Sequence, residues 1–359
     1  MIYYLSQLSE VISWLNIFRY ITFRAFLGFL ISFFLSIFLF PKFIEYLKKK
    51  QFVQTIREDG PKTHLVKQNT PTMGGLIILL SLIISVIITA RPNRFVIWSI
   101  ICVVYLGILG FLDDYLKIIK KHPKAVAPKQ KLFFQILFSL VLCIYLYIYP
   151  QNYIYSTHLH IPYLKETFIN LGIFYFLIVI LTFVGASNGI NLTDGLDGLA
   201  IGNVIFASIA YSILSYVAGN YKLASYLKLI YIPGSGELSI VLACLIGAGL
   251  GFLWFNSYPA TIFMGDSGSL FLGGLLGLIA IFIKQELLLL VAGGVFVVES
   301  LSVLLQVGYY RRTKKRIFLM APLHHHYELK GYHEAKITVR FWIVGIILAI
   351  LTLASLKIR

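Results

Sequence analysis

Charged residues are scarce in this chain, and acidic residues are scarcer than basic ones. Asp, Glu, Lys and Arg make up 13% of the 359 residues, whereas a soluble domain carries about a quarter. Hydrophobic residues make up 58% and fall in long blocks, which is typical of an integral membrane protein. The shortage of charge therefore argues against an ordinary soluble domain and predicts a single polytopic membrane domain over residues 1–359.

Cysteine is also rare. Cys102, Cys143 and Cys244 all lie inside apolar blocks, and their spacing is not that of metal ligands. We therefore expect buried thiols rather than disulfides or a thiolate zinc site. The first twenty residues lack a basic start and a small-residue cleavage site, so no signal peptide is expected. Residues 2–18 mix aromatic, aliphatic and polar side chains and predict an interfacial helix.

The net charge of +16 does not indicate nucleic-acid binding, because the basic residues lie in short loops between apolar blocks. Twenty of the 31 Lys and Arg residues fall in three loops on the same side of the predicted bundle, namely residues 41–72, 115–131 and 309–336. Basic loops beside membrane spans face the cytosol. Both termini are then predicted to lie outside.

The apolar blocks predict an all-α protein with about ten membrane spans of roughly twenty residues each. They cover residues 20–40, 73–90, 95–114, 132–149, 168–185, 199–217, 238–256, 270–283, 287–308 and 337–356. Five cytosolic segments are expected to carry the site, namely 41–72, 115–131, 186–198, 257–269 and 309–336. Glu299 lies inside the ninth span, which is predicted to bend or break near Gly293 and Gly294.

With this orientation, all the aspartates lie at the cytosolic side, although they come from four separate loops. They are Asp59, Asp113, Asp114, Asp194, Asp197 and Asp266. Adjacent carboxylates such as Asp113 and Asp114 are costly near lipid unless a cation accompanies them. They can bind a divalent metal or accept a proton, and Lys117 is placed to pair with Asp113 along a helix. The simpler alternative is a solvated helix end with one salt bridge.

A second motif joins the fifth and sixth spans. Asn188, Asn191, Asp194 and Asp197 recur every three residues, so in a helix they would form one polar ridge. Glycines between them permit close approach of a phosphorylated ligand. Because Asn, Asp and Gly are also the usual turn residues, a plain connector remains the alternative.

A third motif precedes the eighth span. Asp266 is predicted near the helix start, where it can ligate a metal while free N–H groups face phosphate, or simply cap the helix. Phe263 is a candidate for stacking on a base, and otherwise an interfacial residue. In the last loop, consecutive His324, His325 and His326 rarely converge on one zinc ion. Binding of phosphate or of a substrate carboxylate is the favoured interpretation, against an exposed basic loop.

These motifs together resemble one family over nearly the whole chain. The matching runs are Thr-Pro-Thr-Met-Gly-Gly at 70–75, Phe-Leu-Asp-Asp-Tyr at 111–115, Asn-Leu-Thr-Asp-Gly-Leu-Asp-Gly at 191–198, Phe-Met-Gly-Asp at 263–266 and Pro-Leu-His-His-His at 322–326. In this order they resemble the polyprenyl-phosphate N-acetylhexosamine-1-phosphate transferases. The His-rich loop and the run at 70–75 favour the phospho-N-acetylmuramoyl-pentapeptide-transferase branch.

The resemblance implies that undecaprenyl phosphate attacks the β-phosphate of UDP-N-acetylmuramoyl-pentapeptide, giving lipid I and UMP for peptidoglycan synthesis at the bacterial inner membrane. It implies Mg²⁺ as cofactor, and aspartates with few thiolates independently suit that ion. It implies a metal ligand at Asp266, with catalytic roles for Asp113, Asp114, Asp266 and His324. The implied substrate-binding residues are Lys67, Thr72, Lys131, Asn188, Asn191, Asp194, Asp197, Asn256, Phe263, His325 and His326. A groove beside the ninth span would take the prenyl tail in the bilayer, and a homodimer is a candidate assembly.

Three alternatives stay open at the level of sequence. A sister transferase would use UDP-N-acetylglucosamine with the same metal chemistry. An intramembrane prenyltransferase shares a faint Asn-x-x-Asp-x-x-Asp pattern, but leaves Asp266 and the His-rich loop unexplained. A transporter would place its charged site near the bilayer midplane, whereas these carboxylates cluster at one face.

Overall fold

The computed structural model describes residues 1–50, 52, 70–120, 126–164 and 167–357, and these are predominantly helical. Two 3-10 helices, Ile2–Glu10 and Ser13–Arg19, precede the first long helix, in agreement with the predicted helical N-terminal segment. The α-helices are α1 Ile21–Lys49, α2 Gly75–Thr89, α3 Arg94–Lys120, α4 Pro128–Ile148, α5 Tyr175–Thr193, α6 Leu199–Ala218, α7 Tyr221–Tyr226, α8 Glu237–Asn256, α9 Asp266–Phe282, α10 Glu286–Ala292, α11 Gly294–Thr313, α12 Leu323–Leu329 and α13 Glu334–Ala354.

Within the described residues, seven helices are long and apolar enough to cross a membrane: α1, α3, α4, α5, α6, α8 and α13. The pair α10 and α11 forms an eighth, broken span with a bend of 86°. The break falls at Gly293, between the end of α10 and the start of α11, so the predicted weak point is confirmed. The two shorter apolar helices are α2 and α9, and every predicted span overlaps at least one helix.

The fifth predicted span is displaced, and the all-α expectation is wrong at this point. Phe168–Asn170 forms strand β2, which pairs antiparallel with β1, His158–His160. The Asn170 side chain accepts a hydrogen bond from the Gly172 amide at 3.0 Å, and Gly172 turns with φ +52°. The helix therefore starts later than the apolar pattern indicates. It also continues to Thr193, so the first part of segment 186–198 is helix rather than loop.

Helix α9 occupies the centre of the bundle and packs against α3 and α5, while α8 packs along α1 and α6. Ser267–Phe282 are all buried. Small residues make this packing possible, because a Cβ atom on Gly75 or Gly273 would collide with the backbone of α9 or α5 respectively. The three cysteines are buried and free, as predicted. Helix α9 is thus buried from its second residue onwards, and its first residue, Asp266, is only partly exposed.

Candidate active site

Three carboxylates from two helices meet at one end of the bundle. Asp113 and Asp114 lie near the end of α3, and Asp266 is the first residue of α9. One carboxylate oxygen from each lies within 4.8 Å of the others, and the first two residues are buried. The prediction that separate segments deliver aspartates to one place is therefore confirmed for these three.

Gly110 is the residue that lets α3 approach the start of α9. It lies one turn before Asp113 and Asp114, and a Cβ atom there would overlap the carbonyl group of Asp266. A side chain at this position would push α3 away from α9. The aspartate cluster depends on backbone contact at this crossing.

Asp114 caps helix α9 from a different helix. Its carboxylate accepts hydrogen bonds from the backbone amides of Asp266 at 3.1 Å and Ser267 at 2.9 Å. A carboxylate is favoured at a helix start, where amides are unpaired and the dipole is positive. The expectation that these amides face phosphate is therefore wrong for two of them, since Asp114 already occupies them.

Two lysines offset the carboxylate charge. The Lys117 ammonium lies 2.5 Å from Asp113, 3.4 Å from Asp266 and 3.7 Å from Asp114. The predicted pair between Lys117 and Asp113 is confirmed. Lys131, from the first turn of α4, bonds Asp113 at 2.6 Å and also Asp266. The cluster still offers several carboxylate oxygens, which are the donors that Mg²⁺ prefers.

The predicted ridge after the fifth span is only partly helical. Asn188 and Asn191 lie on α5, but the helix ends at Thr193, and Asp194 and Asp197 follow in the turn before α6. Asn191 joins the aspartate cluster, because its amide donates to Asp266 at 3.1 Å and to Ser269 at 2.8 Å. Asn188 instead donates to Gln135 of α4 at 2.7 Å.

The two aspartates of this turn differ in environment. Burial raises the pKa of Asp194 to about 8, and the nearby carboxylates of Asp266 and Asp114 add to the shift. At neutral pH a carboxyl with this pKa keeps a proton and can donate a hydrogen bond. Asp197 is buried and accepts from the Ala260 amide at 3.0 Å, so it ties the α5–α6 turn to the α8–α9 connection.

The α8–α9 connection is held in place by the segment that precedes α2. The Phe263 amide donates to the Pro71 carbonyl at 2.8 Å, and the Gly74 amide donates to the Phe263 carbonyl at 2.8 Å. Asn256 accepts from the Gly198 amide at 3.0 Å and donates to the Ile262 carbonyl at 2.9 Å. In this structure Asn256 therefore organises the loops. Thr72 is buried beside Gly265.

Lys67, another predicted substrate-binding residue, lies outside the described residues, as does most of segment 41–72. Segments 115–131 and 309–336 are also partly helical, because α3 ends at Lys120 and α4 begins at Pro128, while α12 lies within the last segment.

The three consecutive histidines have different surroundings. His324 is buried and its ring lies against Gly195 of the α5–α6 turn. His325 pairs with Glu328 at 2.7 Å. His326 accepts from the Leu319 amide at 3.1 Å. Of the three, His324 is the one that this structure brings to the turn carrying Asp194.

Several polar residues that the sequence did not single out support this region. Gln135 donates to Ser187 at 3.0 Å. A glutamine inside an apolar span indicates a buried polar contact, so the sequence carried a signal for this residue. Ser269 joins Asn191 near Asp266. Glu334 accepts from the Asp197 amide at 2.7 Å, across a chain separation that no local pattern reveals.

Comparison with known proteins points to one family. The family described as Glycosyl transferase family 4 matches residues 96–284, and phospho-N-acetylmuramoyl-pentapeptide-transferase signature 1 matches residues 67–79. The chain is 52% identical to the phospho-N-acetylmuramoyl-pentapeptide-transferase of Endomicrobium trichonymphae over 98% of both chains. It is 52% identical to that of Thermodesulfovibrio yellowstonii over 99% of both, and 49% identical to that of Citrifermentans bemidjiense over 96% of both.

The family model covers more than half of the chain, and the apolar helices can cross a membrane. This protein is therefore a membrane-bound glycosyl transferase of family 4. Within that class, the chain belongs to the phospho-N-acetylmuramoyl-pentapeptide-transferase family.

Substituting Gly110 tests whether the crossing of α3 and α9 sets the cluster geometry. We expect Gly110→Ala to lower turnover by roughly 100-fold, since displacement of reacting groups by about 1 Å has that effect. The matched control is Gly185→Ala, because a Cβ atom at Gly185 has no neighbour within 4 Å among the described residues. Turnover of both variants is measured on protein extracted and purified to equal homogeneity. Equal activity of the two variants would show that the cluster tolerates a wider crossing.

Proposed function

We propose that this chain transfers phospho-N-acetylmuramoyl-pentapeptide from its UDP-linked precursor to undecaprenyl phosphate, giving lipid I and UMP. A phosphate oxygen of the acceptor forms the new bond to the β-phosphorus, and the bond from that phosphorus to UMP breaks. The observation that carries the proposal is the cluster of Asp113, Asp114 and Asp266 with two lysines, in a chain whose full-length relatives bear the name of this transferase.

A divalent cation, Mg²⁺ by chemical fit, would be held by the three aspartates. Their clustered oxygens form a hard donor set. The two lysine ammonium groups beside them show that the carboxylates stabilise positive charge at this position. When bound, the ion supplies charge neutralisation at the transferring diphosphate. Lys117 and Lys131 then gain the diphosphate as an alternative partner, since charge-assisted bonds to phosphate are strong.

The aspartates take different parts in this proposal. Asp114 is engaged by two amides at the start of α9, so it holds that helix in register and contributes to the ion from a fixed position. Asp113 faces the lysines instead, which suits a residue that positions the acceptor phosphate. Asp266 lies between the lysines and Asn191 and serves as the central ligand.

The donor would lie along the α5–α6 turn and the α8–α9 connection. Asn191 and Asp194 would meet its polar groups, with Lys131 at the phosphates and Phe263 as a stacking surface for uracil. Lys67, Thr72, Asn188, Asp197, Asn256, His325 and His326 complete the proposed binding set. Asp197 and Asn256 contribute by holding the loops, because their polar side-chain atoms bond backbone groups of neighbouring segments.

We also propose ten spans in a bacterial inner membrane, with both termini outside and the site at the cytosolic face. The two shorter apolar helices, α2 and α9, bring the seven long helices and the broken pair to that number. A central helix such as α9 does not need full bilayer length, because its neighbours cover it. A homodimer in the bilayer is part of the proposal on family grounds alone.

Orientation is tested by thiol labelling in intact cells after replacement of the three native cysteines. Single cysteines at Lys49 and Lys314 are expected to resist a membrane-impermeant reagent, because both lie at the proposed cytosolic end. A cysteine at exposed Lys222, in α7 at the opposite end, is the control and should react. Labelling at 49 and 314 with protection at 222 would reverse the orientation.

Asp266→Asn tests the metal site. Loss of a ligand carboxylate should cut turnover at least ~100-fold at ordinary Mg²⁺, because charge at the transferring phosphorus is no longer offset. Glu45→Gln, an exposed carboxylate on α1, should leave turnover and its Mg²⁺ dependence unchanged. If Asp266→Asn is about as active as the parent protein, Asp266 is not a metal ligand and serves only as the first residue of α9.

Donor choice separates this proposal from the sister transferase. The exposed basic run from Arg311 to Arg316 lies next in the chain to the His-rich segment, and a positive field favours a donor whose peptide carries carboxylates. We expect UMP release from UDP-N-acetylmuramoyl-pentapeptide at least ~100-fold faster than from UDP-N-acetylglucosamine, roughly 2.7 kcal/mol in transition-state binding. Reactions without undecaprenyl phosphate give the background. A preference for the smaller donor would assign the chain to the sister reaction.

A further inference from the structure

Glu299 is a buried carboxylate on the broken span. It lies in the second turn of α11, after the break at Gly293, and its side chain is fully enclosed. Both carboxylate oxygens are engaged: one accepts from the Leu323 amide at 2.7 Å and the other from the His324 amide at 3.2 Å. Because an enclosed carboxylate is costly unless it is well paired, this arrangement fixes the start of α12 on α11.

The same carboxylate lies beside the His324 ring. Nδ1 of His324 is 3.3 Å from a Glu299 oxygen. The opposite nitrogen, Nε2, is the ring atom nearest to the position of a Cβ on Gly195. Neither ring nitrogen has a hydrogen-bond partner among the described residues, so the approach of Nδ1 to Glu299 is a close electrostatic contact. The imidazole is thus oriented with one nitrogen at Glu299 and the other at the α5–α6 turn.

The turn that meets Nε2 belongs to the proposed donor site. Gly195 follows Asp194 directly, and its lack of a side chain leaves room for the His324 ring. Helix α11 also packs on the same end of α5, where a Cβ atom on Gly189 would meet the side chains of Phe296 and Ser300. Glu299 therefore lies where the bent span, the His-rich segment and the α5–α6 turn come together.

We propose that Glu299 is a positioning residue that acts on the reaction through His324. A carboxylate near Nδ1 favours the tautomer with its proton on that nitrogen, and this leaves Nε2 as the atom that meets the substrate. An acid that orients a histidine in this way contributes to rate although it does not touch substrate. The inference rests on the proposed function, because it requires His324 to contact the reacting groups.

Glu299→Gln is the first test. The variant keeps the size of the side chain but places an amide NH₂ against one backbone donor or the ring, so orientation of His324 is lost. We expect kcat to fall on the order of 100-fold, with KM for the UDP-linked donor changed less than about 3-fold. The control is Glu286→Gln, a second buried carboxylate of the broken span that bonds Tyr175 at 2.5 Å. It should alter thermal stability without this change in kcat.

A double-variant comparison separates positioning from a purely structural role. His324→Gln alone should lose activity, and adding Glu299→Gln should lower it by less than about 2-fold further, because residues that act as a unit are not additive. Independent, multiplied losses would overturn the inference. So would full activity of His324→Gln, while turnover by the parent protein would still uphold the transferase reaction.

A spectroscopic measurement keeps the inference testable without turnover. With ¹⁵N-labelled histidine, the imidazole signal that disappears in His324→Gln should report an Nδ1-protonated ring in the parent protein. That signal should move in Glu299→Gln and stay in place in Glu286→Gln. An unchanged signal in Glu299→Gln would show that Glu299 holds α12 but does not orient His324.

Discussion

Three carboxylates that meet at the buried start of α9 repel one another in an environment with little water, and their repulsion has to be offset from close by. The structure does this with fixed groups: Lys117 from α3, Lys131 from α4, and the backbone amides at the start of α9, which donate hydrogen bonds to Asp114. All of these groups belong to the three helices that meet at the cluster. The charge balance therefore requires α3, α4 and α9 to stay together, which makes the cluster a constraint on the fold as well as a chemical site.

The close approach of these helices depends on small residues rather than on large apolar contacts. Gly110 permits the crossing of α3 over α9, and Gly75 and Gly273 permit comparable approaches elsewhere on α9. In a bilayer, packing of this kind contributes more to helix association than burial of apolar surface, because lipid is as apolar as the core. The glycines of the central helix permit this packing, and the loops at its start are joined by backbone bonds to the segment before α2.

Much of the architecture could be predicted from local patterns. Apolar blocks located every long helix, paired glycines located the break before α11, and the spacing of Asp113 and Lys117 gave their ion pair. The patterns were wrong at residues 168–170, where an apolar run pairs with a strand ten residues away. They also assigned a ridge of four polar residues after the fifth span, whereas α5 ends at Thr193 because the turn carrying Asp194 and Asp197 is bonded to Ala260 and Glu334.

The sequence by itself determined that this is a polytopic helical membrane protein with carboxylates at one end, because span length, loop charge and motif order are local properties of the chain. The tertiary structure decided which polar groups meet. It assigned Asp114 to the start of α9, Asn256 to the Gly198 amide, and Glu299 to His324. These partners are separated by between 25 and 153 residues. Such pairings follow from helix crossings and backbone approach, which depend on the positions of all the helices at once.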